Sequence, residues 1–425
     1  MTEIWIMRNV VVTGLGFVTC LGIEKGEVAE RLRLSKHGIR RYPPFLEREC
    51  GIQVAAPIPQ FDTSGDDPED WTYPGDLRLR LDVLRGLPPH GLYAFHAMEQ
   101  ALRDAGLGRE DISDPRTGLY TASVGSPSRL HLNLDRMRRF GPQRCPPLGI
   151  VASIAGTLSF NLVASYKIKG SSTGFVSACA SSGHALGAAW DEIALGRQDR
   201  MIVVGAEDFS VETILPFVSM RVLTPSGDPD TASRPFDQGR DGFVGTGGAV
   251  VMILEEEEFA RTRGVTPYSR FRSWGQSTDG FHVAASHPDG DGLARAMEHA
   301  LQAGKVTPRE IDYINAHATS TPSGDISELR ALKRVFGSGE GPPVSSTKAL
   351  TGHALSLSSI MEAAFCNLAL RDGFLPASAH ITNPDPEAEG VAILRQTELR
   401  SPQRVLSNSS GFGGANVALV FEQPA

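Results

Sequence analysis

Apolar residues along the chain fall into short runs and helical repeats. Val10, Val11 and Val12 lead into Gly14-Leu15-Gly16, which reads as a buried strand entering a glycine turn and a helix. Phe95, Met98, Ala101, Leu102 and Ala105 recur at helical spacing and predict a helix over 93–105. Residues 117–123, 201–205, 248–254, 312–316, 344–347 and 417–421 read as strands, several too apolar for a sheet with one face in water. Helical segments over 185–195 and 361–370 lie between them. Short aliphatic strands alternating with helices imply an α/β protein whose mixed or parallel sheet is covered on both faces.

Residues 62–74, rich in Asp, Pro, Gly and Ser, predict a surface excursion. The acidic run Glu255-Glu256-Glu257-Glu258, followed by Arg261 and Arg263, predicts a solvated helix face and marks the clearest boundary. It divides the chain into halves 1–255 and 256–425, each with strand–helix alternation but with no sequence repeat between them. With no long linker, the halves are expected to share one core.

The chain has 425 residues, 41% hydrophobic and 21% charged, which is the composition of a globular protein of two or three domains or one large duplicated fold. Its net charge of −8 leaves no broad basic surface, so nucleic-acid binding is not expected. No apolar run approaches the roughly 20 residues of a membrane span. The N-terminal residues lack the pattern of a secretory signal, which predicts a cytoplasmic protein. Five scattered cysteines without a C-x-x-C pair argue against disulfides, and no histidine falls in a Cys/His ligand pattern, so no metal is expected.

Gly14-Leu15-Gly16 fails as a dinucleotide motif, because Thr19 stands where the third glycine belongs. Gly170-Ser171-Ser172-Thr173-Gly174 fits G-x-S-x-G, yet it precedes a short apolar strand over 175–178 rather than forming a strand-to-helix elbow. The residue at the elbow is Cys179, flanked by Ala178, Ala180, Ser181 and Gly183, which leave room for a substrate. A thiol at a helix N-terminus is expected to have a lowered pKa and to be nucleophilic. His317 ends a strand and opens a polar turn, and His353 opens a helix, so each ring is placed to reach a cleft. Lys348 precedes His353 by five residues and requires a partner if buried; Glu362 is the obvious one. Gly411-Phe412-Gly413-Gly414 forms a glycine loop that leaves Phe412 on a hinge.

Ser177-Ala178-Cys179, Arg240-Asp241-Gly242-Phe243-Val244, the segment from Asn315 to Pro322, Lys348-Ala349-Leu350-Thr351-Gly352-His353 and the segment from Asn408 to Asn416, all in order, resemble the β-ketoacyl-acyl carrier protein synthases. The resemblance runs from Val10 to Phe421. It implies the thiolase fold, with two similar halves in a five-layer α-β-α-β-α sandwich, and a homodimer, or a heterodimer with a nucleophile-free ketosynthase-like subunit. It implies that Cys179 carries an acyl chain as a thioester and condenses it with malonyl-acyl carrier protein. His317 and His353 then act as neutral hydrogen-bond donors, with Lys348 and Glu362 setting their field. No cofactor is implied, since phosphopantetheine arrives on the acyl carrier protein. Thr319, Thr321, Phe243 and His282 match substrate-binding positions, and Phe412 matches a gate. A basic docking patch for the acidic carrier protein is expected at Arg78, Arg80 and Arg85, or at Arg136, Arg138 and Arg139.

The absence of a second cysteine in the glycine loop argues against a thiolase, and His353 in place of an asparagine argues against a priming synthase. Fatty-acid elongation is the leading reading, and a ketosynthase of a specialised polyketide or polyene pathway the alternative. The chain departs from the family pattern at Ser410, at Ala318, and at Ser356-Leu357-Ser358-Ser359, where Gly-Ala-Ala-Gly is usual.

Overall fold

The computed structural model describes residues 7–339 and 341–424. Ten strands carry the fold: β1 (Val10–Val18), β2 (Thr117–Ala122), β3 (Ser172–Phe175), β4 (Arg200–Glu207), β5 (Gly248–Glu256), β6 (Ser269–Thr278), β7 (Tyr313–Asn315), β8 (Val344–Ser345), β9 (Arg404–Gly411) and β10 (Ala415–Glu422). The principal helices are α1 (Pro89–Asp104), α2 (Pro127–Phe140), α3 (Ser181–Ala194), α4 (Asp291–Gly304), α5 (Pro322–Phe336) and α6 (Ser358–Asp372).

The first five strands lie in the order β3-β2-β4-β5-β1 and the last five in the order β8-β7-β9-β10-β6. In both sets the first three strands run parallel and the next two antiparallel. The two halves therefore repeat one topology. They meet where β1 pairs antiparallel with β6, Val10 opposite Phe271 and Val12 opposite Ser269.

α3 and α6 fill the space between the two sets of strands. Residues 358–370 of α6 are all buried, which explains why this helix is apolar on every side. Phe365 stacks on Phe17 of β1 at 6.4 Å, and Gly183 of α3 sits so close to β10 that a Cβ would lie 2.5 Å from Val417. α1 covers the outer face of the first set, and α4 with α5 the outer face of the second. The result is the five-layer α-β-α-β-α thiolase sandwich.

Three expectations need correction. Gly14-Leu15-Gly16 is not a turn, because β1 continues through it to Val18 with a bulge between Val12 and Gly14. The glycines admit α1: a Cβ on Gly16 would lie 1.9 Å from the Ala97 carbonyl oxygen. Gly16→Ala is expected to cost at least about 2 kcal/mol, read as a lower urea midpoint; an unchanged midpoint would refute this packing. The acidic run is not wholly solvated either. Glu255 is fully buried and paired with Arg200 and Arg263, each at 2.9 Å. The strand before Cys179 is β3, which ends at Phe175 and leaves 176–178 as a connecting turn. Among the described residues, no helix is long and apolar enough to cross a membrane.

Candidate active site

The turn between β3 and α3 carries Cys179. Ala178 adopts a left-handed conformation (φ 51°), and the amides of Ala180 and Ser181 donate to the carbonyls of Ser177 and Ala178 at 3.2 and 3.1 Å. His317 follows β7. Its backbone N–H and that of Ala318 donate to the two oxygens of buried Glu328 on α5, at 2.8 and 2.6 Å. Asn408 of β9 donates to the same carboxylate at 2.5 Å. His353 follows Gly352, whose φ of 72° and close approach to the Val244 carbonyl exclude a side chain there; the His353 amide donates to that carbonyl at 2.7 Å.

These segments bring the predicted residues together. His353 Nε2 lies 3.0 Å from Cys179 Sγ, and the two imidazoles meet edge to face with centroids 5.4 Å apart. Lys348 Nζ stands 3.4 Å from His317 Nδ1 and is paired with Glu362. Lys348 and Glu362 are both buried. A cavity of about 140 Å³ is lined by Cys179, His317, His353, Thr319, Thr321, Phe243 and Phe412, among others. Thr319 and Thr321 share a hydrogen bond of 3.0 Å. Phe412 is 40% exposed and contacts Phe217 at 6.2 Å, Phe217 contacts Phe243 at 5.7 Å, and Phe243 contacts His353 at 5.2 Å. An aromatic path thus leads from the rim to the buried ring.

Other predicted residues lie elsewhere. His282 does not line the cavity; its Nδ1 accepts from the amides of Ala284 and Ala285, and Ala284, Ala285 and Ser286 line it instead. Arg80 and Arg85 are exposed but already paired, with Asp82 at 2.7 Å and Glu69 at 2.6 Å. Arg78 is exposed. Arg139 pairs with Asp135 at 2.9 Å, and Arg136 donates to the Arg144 carbonyl. Glu328 and Phe217 were not anticipated. The spacing of Glu328 with Leu329, Leu332 and Phe336, on the buried face of α5, was the available signal for Glu328; for Phe217 there was none. A larger cavity of about 500 Å³, lined by Tyr42, Trp71 and Asp208 among others, contains none of the predicted residues. Chemistry, rather than size, picks out the smaller one.

Two expectations change here. Burial pushes the Cys179 thiol up to about 12, against the opposing charge of Lys348. The Ala180 and Ser181 amides at the helix start are spent within the turn. In addition, the histidines do enter a Cys/His cluster: donor atoms of Cys179, His317 and His353 lie within 4.8 Å of one another. Residues so distant in sequence leave no ligand spacing to read.

Burial and the Lys348 charge hold both imidazoles well below their usual pKa of 6.5. The shift favours the neutral form, so protonation moves to lower pH. At pH 6, the ¹⁵N resonances of His317 and His353 are expected to be those of neutral imidazole; either ring titrating at 6.5 or above would contradict this.

Sequence profiles agree with this geometry. The beta-ketoacyl synthase N-terminal domain matches residues 7–260, and the C-terminal domain matches 268–382. This chain belongs to the beta-ketoacyl synthase family. It is 37% identical to 3-oxoacyl-[acyl-carrier-protein] synthase 1 of Haemophilus influenzae, over 98% of this chain and 99% of that protein. Identity to the Escherichia coli synthase 1 is 36%, with the same coverage. Among solved structures, a beta-ketoacyl synthase from Burkholderia phymatum superposes with TM-score 0.90 at 32% identity, covering 99% of this chain and all of that one. The ishigamide ketosynthase/chain length factor gives 0.87 at 28% identity, again over 99% and 100%. This beta-ketoacyl synthase thus has its thiol and two imidazoles in one cavity lined from both halves, with the lysine buried against one of the rings.

Proposed function

We propose that this beta-ketoacyl synthase elongates acyl chains held on acyl carrier protein by decarboxylative Claisen condensation with malonyl-acyl carrier protein. The observation that carries this reading is the Cys179 thiol 3.0 Å from one neutral imidazole, with a second beside it. In the first half-reaction Sγ attacks the acyl thioester. The new C–S bond replaces the old one, and the thiol proton ends on the departing pantetheine sulfur, so protons balance without a separate base. The amides of Cys179 and Phe412 are suited to hold the tetrahedral oxyanion.

In the second half-reaction the malonyl carboxylate leaves as carbon dioxide, and its electron pair moves into the thioester carbonyl. His317 and His353 donate N–H bonds to the enolate oxygen. The enolate carbon attacks the Cys179 thioester, the C–S bond breaks, and the released sulfur takes one proton from solvent. The malonyl carbonyl is the electron sink, so the reaction needs no organic cofactor. The ammonium of Lys348 opposes a metal cation among the same three ligands. Thr319 and Thr321 would meet the phosphopantetheine arm, and Phe412 would gate the cavity. Among the described residues, Arg136 and Arg138 of one basic set make no carboxylate ion pair, against Arg78 alone in the other, so the set with Arg136 and Arg138 is the better docking candidate.

The exposed edge strand β3, flanked by Val176 (64% exposed) and Phe160 (50% exposed), supports a homodimer formed edge to edge. A monomer in sedimentation velocity would refute that. The likeness to a ketosynthase/chain length factor pair at 28% identity lends only weak support to the alternative of a polyketide or polyene heterodimer. Purified protein given acyl- and malonyl-carrier protein is expected to release carbon dioxide and 3-oxoacyl-carrier protein, followed by mass spectrometry. Activity only after a second ketosynthase-like chain is added would select the alternative. Free acid released without malonyl consumption would overturn both.

A further inference from the structure

The start of α6 is unusual in what it brings to the site. Ser356, just before the helix, and Ser358 and Ser359 in its first turn are all buried, and each hydroxyl engages a different neighbour. Ser356 Oγ donates to buried Glu207, and Ser359 Oγ donates to the Cys179 carbonyl at 3.1 Å. Ser358 Oγ accepts the Ala354 amide proton at 3.2 Å and lies 3.0 Å from His353 Nδ1.

A hydroxyl has one proton, and its placement decides the tautomer of the ring. If Ser358 donates to Nδ1, the hydroxyl gives one bond and accepts one, and the imidazole proton resides on Nε2. If Nδ1–H instead donates to Ser358, the serine proton has no acceptor among the described hydrogen bonds and is left buried and unpaired. The first arrangement leaves nothing unsatisfied and is favoured on that account. We propose that Ser358 is a positioning residue that holds His353 in the tautomer carrying its proton on Nε2, directed at Cys179 Sγ.

His317 reaches the same state by another route. The Lys348 ammonium beside its Nδ1 has only protons to offer, so Nδ1 accepts and the ring proton sits on the other nitrogen. Serine and lysine therefore set matching tautomers on two rings that line one cavity. The assignment itself is independent of the reaction. Its catalytic consequence rests on the synthase reading: His353 is kept as a donor to the sulfur and the enolate and is denied the role of base.

The test uses full-length protein with ¹⁵N-labelled histidine and no substrate, the His353 resonances being assigned by their loss in His353→Gln. The parent is expected to show an unprotonated Nδ1 and a protonated Nε2. In Ser358→Ala the Nδ1 resonance should move toward the protonated position as the tautomers mix, and Ser358→Thr, which keeps the hydroxyl, should restore it. Condensation in Ser358→Ala should fall about tenfold in kcat, with KM for malonyl-carrier protein little changed. A protonated Nδ1 in the parent, or identical His353 resonances in Ser358→Ala, would overturn the assignment. The expected resonances in a protein that fails to condense would support the tautomer and overturn the synthase reading alone.

Discussion

Cys179→Ala is expected to lower condensation by about 10³-fold or more, equivalent to about 4 kcal/mol in the barrier, because the acyl chain loses its point of attachment. Intact-mass spectrometry after exposure to acyl-carrier protein should show the parent gaining one acyl group and the variant none. The fold should be nearly unaffected. The left-handed turn belongs to Ala178 rather than to Cys179, and one sulfur removed from the wall of an existing cavity costs little packing. Cys179→Ser is expected to be almost as slow as the alanine variant. With both imidazoles acting as donors and burial already holding the native thiol at about 12, nothing nearby is poised to ionise an alcohol. A serine variant retaining a tenth of the parent rate would show that His353 accepts a proton. An alanine variant that still gained acyl mass would remove Cys179 from the mechanism.

Legibility in the sequence followed the physics of burial. β4 and β5 were readable because both faces are covered, so they appear as unbroken aliphatic runs. β6 was not. Its Arg270 and Arg272 look like loop residues, yet they pair with Glu257 at 2.6 Å and Glu422 at 3.7 Å along the sheet. β9 is absent from the predicted strands because Ser407, Asn408 and Ser409 are polar; they are buried, and Asn408 ties the strand to Glu328. The repeat of the two halves lies in strand order and direction, which side-chain sequence does not record. At the site, Cys179, His317, Lys348 and His353 stood out through local residue patterns. Ser358 stood out only as a departure from the family pattern, and its contact with the His353 ring depends on how the intervening turn folds. Glu328 and Phe217 did not stand out, because each acquires its role from a contact made by a distant segment. The same reason hid the rise in the thiol pKa: the helix terminus is local, whereas desolvation comes from the closed cavity.

The second large effect is expected at the buried ion pair. Lys348→Met should destabilise the protein by about 3–5 kcal/mol at pH 8, because Glu362 stays buried without its counter-charge; the measure is a lower urea midpoint. Burial already raises Glu362 to about 7 from its ordinary 4.5, with Lys348 opposing the rise, so removing the lysine raises it further. A folded pKa above the unfolded value gives a contribution present in full below 4.5 and lost as pH rises. The deficit of Lys348→Met should therefore be large at pH 8 and shrink toward pH 5. Adding Glu362→Gln removes the stranded carboxyl, and the double variant should recover much of the stability at pH 8. Condensation should stay depressed about 10²- to 10³-fold in both variants, because His317 Nδ1 has lost the ammonium that fixed its proton. Recovery of activity together with stability would show that the lysine serves packing alone. Continued loss of activity in a restored fold separates its electrostatic role at His317 from its structural role beside Glu362.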